Sequence, residues 1–309
     1  MNILITGIHG FVGTNLVRAL KSEHRIYGLD IVTPSQDGVE KTFGWNELDL
    51  LPSIDVIIHL AGKAHDTKNQ TIADIYYEIN TGLTQKIYDF YRSSSATKFI
   101  FFSSVKAAAD SVDGVLTEDV VPMPIGPYGE SKIMAEKYIL SNLTAVPDKK
   151  VYIFRPAMIH GPGNKGNLNL LYNVVSKGIP YPLGAFENKR SFCSIENLSF
   201  IIHKMLETTV DSGIYNICDD QTVSTNELIA VMCDVMNKPK RIWSVNRKMI
   251  EVSAAIGSVL HLPFNSHNLK KLTENYVVSN QKMKKVLGID ELPVSAMDGL
   301  RETISNFKQ

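Results

Sequence analysis

The sequence predicts an α/β fold, a doubly wound parallel sheet with a smaller, mostly helical C-terminal lobe. Three observations carry this reading. Short β-branched runs alternate with stretches of helical period through the first half, the pattern of βαβ units. A glycine-punctuated turn, "TGIHGFVG", joins the first run to the first helical stretch. After Pro156 the chain passes through "HGPGNKGNLN" and "KGIPYPLGAFENKR", loops rich in Gly, Pro, Asn and Lys, and from about Val223 it reads as mostly helical.

Taken in order, "NILIT" is the first strand, "FVGTNLVRALKSE" the first helix, and "RIYGLD" the second strand, ending at Asp30. "DVIIHLAG" and "KFIFFSS" are apolar on both faces, as central parallel strands must be. "IADIYYEINTGLTQKIYDFYRSS" has a long amphipathic helical period between them. The helix "YGESKIMAEKYILSNL" leads to the strand "KVYIFRP". "SFCSIENLSFIIHKMLE" reads as a helix and "GIYNICD" as a strand rejoining the sheet. In "STNELIAVMCDVMN", Ser224 or Thr225 is the N-cap, with Glu227 at the position of a capping box. The expected division is 1–163 as the first domain, its sheet completed by about 189–218, with 164–188 and 219–309 as the second lobe.

Composition narrows the function classes. Thirty-two basic residues balance thirty-two acidic ones in 309, so no overall field gathers nucleic acid or membrane. Cys193, Cys218 and Cys233 are widely separated and lack CxxC spacing, which argues against disulfides and zinc and for a reducing, cytoplasmic setting. The N-terminus, broken by glycines, does not read as a signal peptide. "MIEVSAAIGSVLHLPF", Met249 to Phe264, is too short to span a bilayer and reads as a core or groove helix.

Two constellations bear chemistry. Gly7, Gly10 and Gly13 follow a strand and open a helix, where a tight turn brings backbone N–H groups against a pyrophosphate at the helix N-terminus. Their spacing is GxxGxxG. Asp30, seventeen residues beyond Gly13, stands where a carboxylate accepts hydrogen bonds from ribose hydroxyls and repels a 2′-phosphate, favouring NAD over NADP. Further on, Tyr128 and Lys132 share a helix face at i and i+4. An ammonium there stabilises phenolate, so the expectation is a tyrosine pKa below the usual 10 and a general base at neutral pH. Ser103 and Ser104 end a strand at the carboxyl edge, and alternation lets only one address the cleft.

"TGIHGFVG" with Asp30, "DVIIHLAG", "YYEIN", "FIFFSS", "PYGESK" and "FRPAMIHGPG" together resemble the extended short-chain dehydrogenase/reductases, specifically the nucleotide-sugar epimerase/dehydratase branch. The resemblance implies a Rossmann domain, bound NAD, a sugar-nucleotide lobe and commonly a homodimer. It assigns the catalytic hydroxyl to Ser104, the catalytic tyrosine to Tyr128, and the ribose-binding lysine to Lys132. Phe11 in the glycine turn, Leu60, Ala61 and Gly62 after the fourth-strand motif, and Pro156 fall at its cofactor-contacting positions. Asn80 matches the asparagine that braces the active-site backbone. On the substrate side it implies a UDP-linked sugar, with Lys165, Asn167 and Arg190 at the nucleotide-sugar diphosphate and "IPYPLG" beside uracil.

The chain departs from that pattern between the second strand and "DVIIHLAG", where "VEKTFGWNELDLLPSI" is too short for an ordinary helix, leaving Asp49 or Trp45 open as the adenine contact. Lys63 and His65 follow the fourth-strand motif as a basic loop near the cleft mouth. A second diphosphate arginine is missing before "YVVSNQK", with Lys270 or Lys271 as substitutes. The implied reaction is a C4 epimerisation of a UDP-hexose through hydride transfer and a 4-keto intermediate. A 4-reductase of a UDP-4-keto-6-deoxyhexose keeps the same residues, and a non-catalytic dinucleotide sensor is the third reading.

Overall fold

The structure, a computed structural model, describes residues 1–63, 72–143, 149–164, 166–260, 262 and 264–308, with the side chains of Asn167 and Lys308 outside that description. The first half runs β1 (Asn2–Thr6), α1 (Phe11–Leu20), β2 (Arg25–Asp30), β3 (Lys41–Gly44), β4 (Val56–His59), α2 (Ala73–Tyr76), α3 (Leu83–Ser93), β5 (Lys98–Phe102), α4 (Val105–Ala108), β6 (Val115–Leu116), α5 (Pro127–Ser141) and β7 (Lys150–Pro156). The second runs β8 (Met158–His160), α6 (Asn167–Ser176), β9 (Arg190–Ser194), α7 (Ile195–Glu207), β10 (Gly213–Ile217), β11 (Thr222–Val223), α8 (Thr225–Met236), α9 (Arg247–Val259), α10 (Ser266–Thr273), β12 (Val277–Val278), α11 (Gln281–Leu287) and α12 (Ala296–Ser305).

Seven strands form one sheet in the order β10-β7-β5-β4-β1-β2-β3, and every pairing in it is parallel. The strand order reverses at the β1/β4 boundary, the place where open α/β sheets leave a crevice at their carboxyl edge. Thr6, Asp30, His59, Phe102 and Pro156 all end strands at that edge.

Strand alternation splits the core into two layers. Ile3 and Ile5 pack with Leu16 of α1 and Leu198 and Ile201 of α7, while Leu4 and Phe99 pack with Tyr88 of α3 and Ala135 and Ile139 of α5. A further cluster joins Leu168, Phe192, Met232, Leu300 and Ile304, packing α6, α8 and α12 beyond the sheet. Ser224 caps α8 and Glu227 completes the capping box, as expected.

Two local readings change. The segment read as one helix from Ser191 begins instead as β9, Arg190–Ser194, paired with β8 and β11, and α7 starts only at Ile195. Ser194, whose side chain accepts from Asn197 N–H, marks that boundary as an N-cap. The helix between β4 and β5 carries a π-helical turn, Tyr77–Gly82, between α2 and α3. Between β2 and β4 there is no α-helix, as the short segment requires, but β3 and a single 3₁₀ turn at Leu48–Leu50.

Candidate active site

The glycine turn is built for close approach. Gly7 has φ +66°, and a Cβ there would meet the Ala61 backbone at 2.9 Å. A Cβ on Gly13 would stand 2.5 Å from the Ile8 carbonyl, so glycine lets α1 lie directly against the end of β1. Gly7 N–H donates to Leu29 O at 2.8 Å, Gly10 N–H donates to Gly7 O at 3.0 Å, and helical bonding begins with Thr14 N–H to Gly10 O. The first-turn N–H groups of α1, starting at Phe11, therefore point past the sheet edge as an anion cradle. The Asp30 carboxylate accepts from His9 N–H at 3.1 Å and from Ile31 N–H at 2.7 Å, which fixes it beside the same turn. A glycine-lined turn with one carboxylate at its rim fits a dinucleotide, whose pyrophosphate would rest on the turn and whose ribose hydroxyls would reach Asp30.

The β4 end forms the next wall. Leu60 N–H donates to Thr6 O at 3.2 Å, and Ala61 N–H donates to Thr6 Oγ1 at 3.0 Å. Buried His59 joins Thr6 Oγ1 at 2.7 Å and Thr84 Oγ1 at 2.9 Å, and burial, aided by the charge of Lys132, holds its pKa well below the usual value. It is a neutral tie between strand and helix. Nothing in the apolar run "DVIIHLAG" marks that role. A Cβ on Gly62 would fall 2.9 Å from Asn80 Oδ1 and 3.1 Å from Lys132 Nζ, so this loop touches both groups.

Asn80, fully buried within the π-helical turn, accepts from Lys63 N–H at 2.7 Å and donates to Lys63 O at 3.2 Å and Ser131 Oγ at 3.0 Å. It thereby locks the backbone after β4 to α5. The extra residue of a π turn re-aims such a side chain, a device frequent at functional sites. Lys63 is exposed, and His65 lies outside the described residues.

Helix α5 supplies the central line. Gly126, at φ +83°, turns the chain and Pro127 occupies the first helical position. Tyr128, Lys132 and Glu136 then recur at four-residue intervals on one face. Tyr128 hydrogen-bonds Ser104, and its ring meets Tyr76 edge-on at 6.1 Å. Ser104 also caps α4, its Oγ accepting from Lys106 N–H at 3.2 Å. Ser103 points the other way, donating to Glu136 Oε1 at 2.5 Å within a buried ion pair of Glu136 with Arg155. The alternation that left two serines open is thus resolved: Ser104 joins the tyrosine, and Ser103 the structural pair. Nothing in the sequence pairs Glu136 with Arg155, although Glu136 follows Lys132 at the same helical spacing.

Lys132 is 5% exposed and donates from Nζ to Phe102 O at 2.9 Å. Burial lowers its pKa to about 8, against the opposing charge of Glu136. Tyr128 corrects an expectation. Its pKa is raised, chiefly by burial, with the Ser104 hydrogen bond pulling it back and Tyr76 adding to the rise. Without cofactor the site therefore holds a phenol, because desolvation outweighs the Ser104 hydrogen bond.

The buried lysine carries a stability prediction. Its folded pKa, about 8, lies below the unfolded 10.5, so the burial cost is fully present below pH 8 and is relieved as pH rises toward 10.5. That depression corresponds to about 3 kcal/mol, offset by about 1 kcal/mol for the lost hydrogen bond to Phe102. Cofactor-free Lys132→Met should be more stable than the parent by about 1–3 kcal/mol at pH 7, the gap closing by pH 10.5. Urea unfolding across that range checks it, and a variant less stable at pH 7 contradicts it.

The remaining predicted residues are less complete. Pro156 ends β7 and is buried at the same sheet edge, beyond the Phe102↔Phe154 register that carries Ser103. Arg190 opens β9; its Nη2 donates to Lys271 O and lies 4.0 Å from Glu274 Oε1. Arg190 Nε is buried without a hydrogen-bond partner among the described residues. Burial lowers its pKa, with Glu274 opposing. Lys270 and Lys271 are exposed on α10. Asn167 opens α6, and Lys165 lies outside the described residues. Trp45 packs half-buried into the core, edge-on to His59 at 6.4 Å, whereas Asp49 is exposed.

Residues 3–218 match the model of the NAD dependent epimerase/dehydratase family. The chain belongs to this family. It is 34% identical to a UDP-glucose 4-epimerase of Vibrio cholerae, over 100% of this chain and 96% of that one. It is 27% identical, over 77% of its length and 73% of the relative's, to an N-acetyl-alpha-D-glucosaminyl-diphospho-ditrans,octacis-undecaprenol 4-epimerase of Escherichia coli O157:H7. Among solved structures, MoeE5 in complex with UDP-glucose and NAD superimposes with TM-score 0.78 at 21% identity, covering 100% of this chain and 99% of that one. Membership of the family makes the protein an NAD-dependent enzyme of nucleotide-sugar chemistry, in the class of epimerases, dehydratases and reductases. No helix among the described residues is long and apolar enough to cross a membrane.

Proposed function

We propose that this family member is a C4 epimerase of a UDP-hexose. The observation that carries the reading is the Ser104–Tyr128 hydrogen bond at the carboxyl edge of the sheet, with Lys132 held beside Gly62 and Asn80. The 34% identity to a UDP-glucose 4-epimerase along the whole chain supports the substrate class. Bound NAD supplies two-electron oxidation at C4 and its reversal.

The chain's own residues manage protons and position. Once the cation of bound NAD offsets its desolvation and the phenolic proton has left to water, Tyr128 Oη would take the proton of the sugar C4 hydroxyl and later return it, while Ser104 Oγ keeps that oxygen in line through its hydrogen bond. Lys132 and Asn80 fix the wall on which the cofactor ribose would lie. Gly7, Gly10, Gly13 and Asp30 would hold its adenosine and pyrophosphate end. Arg190, with one N–H unengaged, would meet the sugar-nucleotide diphosphate, together with Lys165 and Asn167 of the 164–188 segment.

A second substrate reading is a hexose carried on a polyprenyl diphosphate, supported by the 27% identity to a relative named for such a sugar. Both carriers present the diphosphate that Arg190 suits. Purified protein should release NAD on denaturation and convert a UDP-hexose to its C4 epimer without net change in NADH. Conversion of the polyprenyl-diphosphate sugar alone would transfer the reading to that carrier. Stoichiometric NADH consumption with a 4-keto sugar would replace epimerisation by reduction.

A further inference from the structure

Helix α9 carries two apolar faces. Ile250, Ala254 and Gly257 are buried, packing with Leu183 and with Leu269 of α10. Glycine is required at 257, where a Cβ would collide with the Phe264 carbonyl at 1.9 Å. Met249, Val252, Ile256 and Val259 face solvent and are 54–76% exposed. At about 100° per residue these four fall within an arc of about 80°, opposite the buried stripe. Leu260, Leu262 and Phe264 past the helix end, Leu272 on α10 and Trp243 before α9 are exposed as well. Four exposed apolar side chains on one helix face mark an interaction site rather than scattered exposure.

Its charge is equally uneven. Residues 238–272 contain seven Lys or Arg and one acidic residue, Glu251, in a chain whose charges cancel only when this segment is included. Lys248 at the start of α9 and Lys270 and Lys271 on α10 are exposed. An aliphatic helix face flanked in sequence by cations and by the exposed Trp243 and Phe264 has the chemistry of an interfacial helix on anionic lipid. It is too short to span a bilayer, since 13 residues rise about 20 Å and one face is already packed.

We propose that this face seats the protein on an anionic bilayer surface, with α9 lying in the interfacial plane and Lys248 and Lys270 engaging headgroups. The charge complementarity of the 238–272 segment selects lipid over a second copy of the chain, which would bring like charges together. The seat adjoins the cleft, because α10 holds Arg190 through the Lys271 carbonyl. The proposal does not depend on the reaction assigned above and is tested without it.

The full chain is sedimented with vesicles of phosphatidylcholine containing phosphatidylglycerol, and with vesicles of phosphatidylcholine alone. The expected result is partition onto the anionic vesicles that weakens with salt. Ile256→Asp combined with Val259→Asp should lower it about tenfold or more, and Lys248→Glu with Lys270→Glu should lower it as well. These side chains are exposed, and unchanged circular dichroism and melting confirm that the variants fold. Absence of partition by the parent chain overturns the proposal, as does equal partition of parent and variants or equal binding to both vesicle types. Self-association abolished by the aspartates, with no vesicle binding, assigns the face to a second copy and likewise overturns it.

Discussion

Tyr128→Phe should lower turnover at least about a hundredfold while leaving bound NAD unchanged, the loss characteristic of removing a positioned acid–base group. The variant keeps the ring that meets Tyr76 edge-on at 6.1 Å and deletes only the hydroxyl bonded to Ser104. Binding and packing should therefore survive where proton transfer does not. A rate near that of the parent enzyme would remove Tyr128 from the chemistry. A loss of NAD together with activity would assign the tyrosine to cofactor binding instead.

The second large effect concerns stability. Glu136→Gln should destabilise the fold by about 3–5 kcal/mol, because it leaves the Arg155 guanidinium charged and without its counter-ion in the interior. Glu136 and Arg155 are 0% and 1% exposed, and Arg155 Nη1 already lacks a partner among the described residues. Ser103 Oγ also donates to this carboxylate. Ser103→Ala should cost only about 1–2 kcal/mol, since the charges remain matched. Urea unfolding of both variants separates the effects, and a Glu136→Gln cost below about 1 kcal/mol would contradict the paired-charge account.

Much of this architecture was legible because hydrophobic period speaks directly to parallel strands. β1 and β2 coincide with "NILIT" and "RIYGLD", and β10 rejoins the sheet as expected. β9 was hidden because "RSFCS" runs without a break into an amphipathic helix, and only the Ser194 cap separates them. The π turn at Tyr77–Gly82 leaves no mark on a period-counting reading, yet it holds Asn80.

The candidate line on α5 was legible as spacing but not as electrostatics. Four-residue intervals place Tyr128, Lys132 and Glu136 together, whereas the direction of the tyrosine shift depends on burial, which spacing does not report. The partner of Glu136 was equally out of reach, because Arg155 lies on a different element. The composition of α9 announced an apolar helix, but which of its two stripes packs against Leu183 is decided by tertiary structure.

The central claim is that Tyr128 exchanges the C4 hydroxyl proton while the C4 carbon–hydrogen bond is broken and remade inside one enzyme. A UDP-hexose carrying deuterium at C4, incubated with the NAD-loaded protein and analysed by mass spectrometry, tests it most directly. The account predicts the C4 epimer with deuterium still on C4 and no accumulation of NADH. Washout of the label into water, or a released keto sugar with one NADH for each, would contradict it.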